Sequence, residues 1–294
     1  MLADLDAGSL FFTYVGHGWW NGFDDLRVDG RRYPILKTEH AGKVAVAGTP
    51  PAMFVIACTT ALFDDPAIVS VGEALLARPR GPLAYWGATR VCHPAWNSLI
   101  GRQVAIEMFK DPARRLGEIL GAAVAVASGP PPAGDALRFT IERGAALLMQ
   151  GAKVDVERLK KEGAAMYNLL GDPALRLPFP AEDLAVEATR TPTGASVRVK
   201  GPFPDGTEVL AAVEVPRTQV LSEAADPSLS PEEAMRRRHA RSNDKAVARG
   251  TARAQGGVAT FAFDVPEAQR AGPLFAKAHA VFGGDVHQGA SPLP

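Results

Sequence analysis

The apolar positions of this chain follow two different rules. Up to about residue 178 they come as short unbroken runs set between helical stripes, and beyond it they alternate with polar residues. The unbroken runs are residues 10–15, 53–57 and 81–88. Runs of this kind predict strands buried on both faces, as in a parallel sheet. Between the second and third runs, Ser70 with Glu73 three residues on predicts a capping box. It opens a helix whose body is Ala74, Leu75, Leu76 and Ala77 and which Pro79 ends. Strand, helix, strand with short connections is the βαβ pattern of a parallel sheet. Ile100, Val104 and Met108, four apart, predict a further helix. Another is expected over 114–127, broken by Gly129 and three prolines, and a longer one over 135–162 with Leu147, Leu148 and Val154 in its core stripe. Residues 26–51 are polar, carry Pro34, Pro50 and Pro51, and predict a crossover with a short helix at most.

After Pro178 and Pro180 the period becomes two: Leu184, Val186 and Ala188, then Val197 and Val199, then Val209, Ala211 and Val213. Gly-Pro and Asp-Gly turns separate these runs, and residues 258–263 and 275–282 complete the set. A small antiparallel β-sandwich is the expected result. A polar, Arg-rich insertion at about 216–256 interrupts it, helical around 231–247. Its basic cluster from Met235 to Arg241 reads as a solvated helix face rather than a docking patch. The expected fold class is thus α/β, a mostly parallel sheet flanked by helices over 1–180, followed by the sandwich over 181–294.

Composition narrows the partners. The 294 residues are 47% apolar and 22% charged, with 32 Lys+Arg against 32 Asp+Glu. A chain of that length holds two cores, and balanced charge argues against nucleic acid or an anionic membrane as the main partner. No apolar run approaches the roughly 18–20 residues of a membrane span, so no membrane insertion is expected. The first residues, Met-Leu-Ala-Asp-Leu-Asp, have no basic n-region and do not read as a signal peptide. The chain starts only a few residues before a core strand, which leads to the expectation that further sequence lies upstream.

The candidate chemistry sits where two runs stop. The first ends in Gly16-His17-Gly18 and the second in Cys58. Open α/β sheets place ligands at the carboxyl ends of their strands, so His17 and Cys58 suggest a thiol–imidazole pair and a cysteine hydrolase. Cys58 can equally be a small buried hydrophobe. Two cysteines, Cys58 and Cys92, make no disulfide framework. Neither Cys-x-x-Cys nor His-x-x-x-His spacing is present to suggest structural zinc. Cys92 and His93 are adjacent and poorly placed to work on each other. Trp19 and Trp20 lie on the loop after His17 and would form a binding wall or pack on a neighbouring loop.

Several of these segments together resemble a known family. Tyr14-Val15-Gly16-His17-Gly18 is similar to the Tyr-x-Gly-His-Gly segment of the gingipain-like cysteine peptidases, the C25 family with a caspase-like fold. Phe54 to Cys58, Phe63-Asp64-Asp65-Pro66 and Ser70-x-Gly72-Glu73 resemble its nucleophile segment. Gly87-Ala88-Thr89-Arg90 and the stretch from Tyr167 to Leu177 resemble its later blocks, in order. The resemblance covers most of residues 9–178 and implies a caspase-like domain that is N-terminally incomplete, followed by an immunoglobulin-like domain. It implies Cys58 as nucleophile, His17 as catalytic histidine, and the backbone N–H groups of Gly18 and Cys58 as oxyanion hole. The expected reaction is endopeptidase cleavage of a protein or peptide substrate through a thioester acyl-enzyme, with no cofactor required.

Trp19, Trp86, Arg90 and Trp96 are the candidate substrate contacts. Trp96 falls near an S1-pocket tryptophan of gingipains, with core packing as the other reading. Asp24, Asp25, Asp64 and Asp65 could supply oxygens to calcium, or serve turns and caps. The acid that partners the histidine and the acid that selects basic P1 residues would lie upstream, so Arg or Lys specificity does not carry over. Relatives are secreted or attached to the bacterial surface, so the resemblance implies an extracellular or cell-surface site here. Two other readings stand beside the peptidase: a non-catalytic or weakly active binding or secretion-associated module, and an esterase or amidase using the same pair. Oligomeric state is left open by the sequence.

Overall fold

Helix α1 (Leu2–Ala7) leads into strand β1 (Phe11–Val15), and two short hairpins follow. They pair β2 (Gly18–Trp19) with β3 (Gly22–Phe23) and β4 (Asp25–Val28) with β5 (Arg31–Pro34). A 3-10 turn (Thr38–Lys43) then brings the chain to β6 (Ala52–Ile56), α2 (Val71–Leu76) and β7 (Ala84–Ala88). The structure is a computed structural model describing residues 2–28, 30–111, 113–148, 155–221 and 226–294. Two compact units divide the chain, Met1–Pro178 and Phe179–Pro294.

Helices α3 (Pro94–Lys110), α4 (Leu116–Ser128), α5 (Ala136–Leu148) and α6 (Val156–Met166) and strand β8 (Tyr167–Gly171) complete the first unit. Its main sheet runs β1-β6-β7-β8. β1, β6 and β7 are mutually parallel, and β8 is antiparallel to β7. The unbroken apolar composition of β6 and β7 has its reason here, since every residue of both is buried. β1 departs from that expectation: Thr13 and Val15 are exposed, Val15 at 68%. Among the described residues β1 is the edge strand, and only one of its sides is paired.

The capping box is present as read: Ser70 N–H donates to Glu73 Oε2 at 2.9 Å and Glu73 N–H to Ser70 Oγ at 3.4 Å, opening α2. Ile100, Val104 and Met108 are buried on α3, and Gly129 ends α4. The single helix expected over 135–162 is instead two. Asp155 adopts an extended conformation and caps α6 by accepting the Arg158 N–H at 2.7 Å, so no helix runs through it. Leu147 is 57% exposed, because α5 turns Arg138 and Ala145, seven apart, to the interior. The Leu148 side chain and Val154 lie outside the described residues. Residues 26–51, expected as a plain crossover, contain the β4–β5 hairpin.

Arg138 and Lys160, each almost fully buried, join α4, α5 and α6. Arg138 donates to the Val126, Ala127 and Gly129 carbonyls at 2.6, 3.1 and 2.5 Å, capping the exit of α4, and to Glu142 at 2.9 Å. Lys160 pairs with the same Glu142 at 3.1 Å and with Glu157 at 3.0 Å. Cations at a helix C-terminus meet its unpaired carbonyls and the negative end of its dipole.

The second unit is antiparallel throughout its paired strands. One sheet is β13-β10-β9, from β9 (Ala185–Arg190), β10 (Gly194–Lys200) and β13 (Val258–Asp264). The other is β12-β11-β14-β15, from β11 (Glu208–Glu214), β12 (Ala246–Arg253), β14 (Leu274–Phe282) and β15 (Asp285–Leu293). One apolar cluster takes Val197, Val199 and Phe261 from the first sheet and Val209, Ala211, Val213 and Ala276 from the second. The insertion is partly a strand: β12 falls within 216–256, and helix α7 (Pro231–Asn243) has no buried residue. β15 was not expected either. Its sequence, Asp-Val-His-Gln-Gly-Ala-Ser-Pro-Leu, has little apolar alternation, yet it pairs with β14 along its whole length.

Candidate active site at the strand ends

Parallel register sets the site. Phe11 lies opposite Ala52 and the ladder stays in step to Val15 opposite Ile56, with Gly16 N–H still donating to the Ile56 carbonyl at 3.2 Å. His17 and Cys58 are therefore each two residues past the last opposed pair, on strands spaced by about 4.8 Å. His17 is exposed and Cys58 half-buried. The His17 ring has Trp19 as its aromatic neighbour, centroids 6.4 Å apart, and Trp19 is itself 49% exposed. Among the described residues no hydrogen bond joins the His17 ring to Cys58 or to a carboxylate.

The backbone around the pair is tightly held. Tyr14 stacks on Phe23 at 4.1 Å; its hydroxyl donates to the His17 carbonyl at 2.8 Å and accepts the Asp24 N–H at 3.3 Å. Burial pushes the Tyr14 phenol up, so it remains the neutral donor this brace requires. Gly18 is pressed onto the second strand end: a Cβ there would lie 2.6 Å from Thr60 Cγ2, 2.8 Å from Ala57 Cβ and 3.1 Å from the Cys58 carbonyl oxygen. Asp24 N–H donates to the His17 carbonyl at 3.2 Å, just beyond the Gly18–Phe23 pair. Antiparallel geometry makes that pair the non-hydrogen-bonded kind and turns the Gly18 N–H away from β3. Beyond Cys58 the chain turns sharply, with Thr59 at φ 51°, a left-handed conformation uncommon for a β-branched residue. The Cys58 N–H has no protein acceptor among the described residues.

Cys92 completes the site from the turn after β7. Its sulfur lies 3.7 Å from that of Cys58, and its N–H donates to Cys58 Sγ at 3.5 Å. Cys92 is only 7% exposed, and the Tyr167 oxygen is 3.6 Å from its sulfur. Burial pushes the Cys92 thiol up. His93, the sequence neighbour of Cys92, is the N-cap of α3, its Nδ1 accepting the Ala95 N–H at 3.1 Å. The signal that could have found the dithiol was topological: Cys58 and Cys92 follow neighbouring parallel strands.

The remaining candidates divide. Trp96 is 0% exposed, and Gly163 packs so closely that a Cβ there would meet the indole at 2.5 Å. Trp86 is buried in β7 with its ring 4.6 Å from that of Tyr167. Both expectations of substrate contact are corrected, since side chains enclosed in the core cannot meet a ligand at the sheet edge. Arg90 stands on the rim in a two-point pair with Asp64, at 2.9 and 2.6 Å. That hydrogen bond holds the Asp64 carboxyl below the usual carboxylate range. The four calcium candidates do not converge. Asp25 pairs with Lys37 at 3.0 Å, Asp64 with Arg90, Asp65 accepts the Ala67 N–H, and Asp24 accepts the Asp25 N–H. Among the described residues no group of three or more His, Cys, Asp or Glu side chains could hold a metal ion.

The ladder thus brings a histidine and a cysteine to adjacent strand ends beside the backbone of Gly18, the kind of arrangement a thiol hydrolase would use. The profile of peptidase family C25 matches residues 1–178, more than half of the chain. The chain belongs to peptidase family C25, a family of cysteine peptidases. Two solved structures resemble it. One is described as the complex of Porphyromonas gingivalis RgpB pro- and mature domains, at 14% identity and TM-score 0.44, covering 98% of this chain and 55% of that one. The other, described as the structure of a protease, has 14% identity and TM-score 0.45, covering 98% and 56%. The chain thus spans little more than half the length of either. A comparison with curated protein sequences found no match. Among the described residues no helix is long and apolar enough to cross a membrane.

Proposed function

We propose that the protein is a cysteine endopeptidase in which Cys58 is the nucleophile and His17 the proton carrier. The observation that carries this reading is the in-step β1–β6 ladder, which leaves His17 and Cys58 at equivalent positions with Gly18 against the Cys58 carbonyl. In the reaction His17 takes the Cys58 proton and the sulfur attacks the peptide carbonyl carbon. The carbonyl oxygen becomes an oxyanion facing the N–H groups of Gly18 and Cys58. His17 then gives its proton to the leaving amine, and a thioester remains. Water, losing a proton to His17, attacks the thioester; the acid departs and the thiol is restored. The pair loses one proton to the leaving amine and regains one from water, so the cycle closes on protein groups, substrate and water and calls on no cofactor. Preorganised main-chain donors matter because they meet charge that is absent in the ground state.

Trp19, exposed beside His17, is the proposed substrate wall, and Arg90, already paired with Asp64, a rim contact of secondary weight. The two antiparallel sheets of the second unit are proposed to form an immunoglobulin-like sandwich, supported by their shared apolar cluster. Action on protein or peptide substrates outside the cytoplasm belongs to the same reading. The test is cleavage of a peptide library varied at P1 by the wild-type chain and by Cys58→Ala and His17→Ala. Cleavage lost in both variants supports the peptidase. Cleavage retained in Cys58→Ala assigns the chemistry elsewhere, and a folded wild-type chain that cleaves nothing is a binding module.

A further inference from the structure

The second thiol has no role in the reaction just described, yet it lies against the first. The two sulfurs are 3.7 Å apart. A disulfide needs about 2.05 Å between sulfurs, a closure of about 1.7 Å. Cys92 belongs to the short turn between β7 and α3, whose neighbouring Val91 is 74% exposed. Movement of that turn toward Cys58 therefore disturbs little packing on its outer side. We propose that Cys92 is a resolving thiol, forming a reversible disulfide with Cys58 when a peroxide oxidises the site, so that the nucleophile is masked and spared irreversible damage.

The roles of the two sulfurs follow from exposure. Cys58 is half-buried at the sheet edge and meets solute, whereas Cys92 is enclosed by Cys58, Tyr167 and the start of α3. Burial also pushes the Cys92 thiol up, so at neutral pH it is the protonated partner and competes poorly for electrophiles. In the first step the Cys58 thiolate attacks one oxygen of hydrogen peroxide. The O–O bond breaks, hydroxide leaves, and Cys58 becomes a sulfenic acid. In the second step Cys92 loses its proton to that hydroxide and its sulfur attacks Cys58. The S–O bond breaks, and a second hydroxide leaves to take up the proton that Cys58 originally released. Two thiols and one peroxide give one disulfide and two waters: each sulfur is oxidised by one electron and the peroxide is reduced by two. A dithiol reductant reverses the bond by exchange through a mixed disulfide.

Loss of cleavage on oxidation rests on Cys58 being the nucleophile, whereas bond formation itself does not, and the experiment keeps the two apart. The full chain is treated with graded hydrogen peroxide, quenched, and digested without reductant. Peptide masses and cleavage are measured before and after dithiothreitol. The expected result is a cross-linked peptide pair containing Cys58 and Cys92, lighter by two hydrogens, that dithiothreitol separates while restoring activity. In Cys92→Ala, and equally in Cys92→Ser, the same dose adds two oxygens to Cys58. Recovery with dithiothreitol, relative to each untreated variant, falls about tenfold below wild type, because sulfinic acid resists thiols. A wild-type chain in which Cys58 accumulates sulfinic acid with no intramolecular cross-link overturns the inference, as does full recovery of Cys92→Ala. A reversible cross-link in a chain that cleaves no peptide sustains the thiol pair and overturns the peptidase reading instead.

Discussion

Gly18 faces the Cys58 carbonyl with no room for a side chain of its own. A Cβ on Gly18 would stand 3.1 Å from the Cys58 carbonyl oxygen and closer still to Ala57 and Thr60. The absence of a side chain is thus what lets the histidine-bearing turn settle against the cysteine-bearing one. Gly18→Ala is expected to push the two turns apart, removing one main-chain donor from the proposed oxyanion site. Cleavage should fall about a hundredfold or more, and overpacking should cost about 1–3 kcal/mol of stability. Steady-state kinetics alongside urea unfolding checks both, and a folded Gly18→Ala chain with wild-type kcat/KM would contradict this account of the turn.

Arg138 is expected to carry a large share of the helical layer's stability. It is buried and reaches three carbonyls at the end of α4 as well as Glu142. Arg138→Met takes the guanidinium from those carbonyls and leaves Glu142 with Lys160 as its remaining cation, and should cost about 3 kcal/mol. Arg138→Lys should recover little, since an ammonium lacks the planar fork that meets several acceptors. All four tryptophans, Trp19, Trp20, Trp86 and Trp96, precede residue 178. Urea unfolding followed by tryptophan fluorescence therefore reads this unit alone.

The acid limb of stability should depend on Glu107. This buried carboxylate of α3 accepts from Arg114 at 2.7 Å and from Gln103 at 3.1 Å, with Lys110 at 3.7 Å. The Arg114 hydrogen bond, aided by Lys110 and Gln103, holds its carboxyl below the usual range. A lowered folded-state value means stabilisation that is complete above the unfolded value, about 4.3 for Glu, and lost as pH falls through the folded one. Glu107→Gln should therefore cost about 2 kcal/mol at pH 7, and the gap from wild type should close as pH drops below about 4. Unfolding free energies measured across that range provide the check. A gap that stays constant would show that the charge of Glu107 is not what matters.

What could be read from the sequence was local. β6 and β7 announce themselves because strands enclosed on both faces need unbroken apolar runs, and Ser70 with Glu73 marks a helix start by its own chemistry. His17 and Cys58 were legible as site candidates because each directly follows such a run. Features set by distant partners were not legible. β15 is polar and is held by its pairing with β14, while β12 is mostly small residues with Arg249 and Arg253 and is held by β11. The β4–β5 hairpin does carry a local signal, the Asp29-Gly30 pair between two short runs. Trp86 reads as a candidate contact by residue type and Trp96 by its place near an S1-pocket tryptophan of gingipains, and only packing against Tyr167 and Gly163 makes them core. The meeting of Cys58 with Cys92, 34 residues apart, arises from the ends of two strands and the turn that follows one of them.

The central claim is that Cys58, assisted by His17, is the attacking group. It is tested most directly by treating the folded chain with a peptidyl acyloxymethyl ketone and locating the adduct by peptide mass. The account predicts a single thioether on Cys58, lost in Cys58→Ala and slowed about a hundredfold or more in His17→Ala. An adduct on Cys92 with Cys58 unmodified, or labelling of Cys58 at the same rate with and without the His17 imidazole, would contradict it.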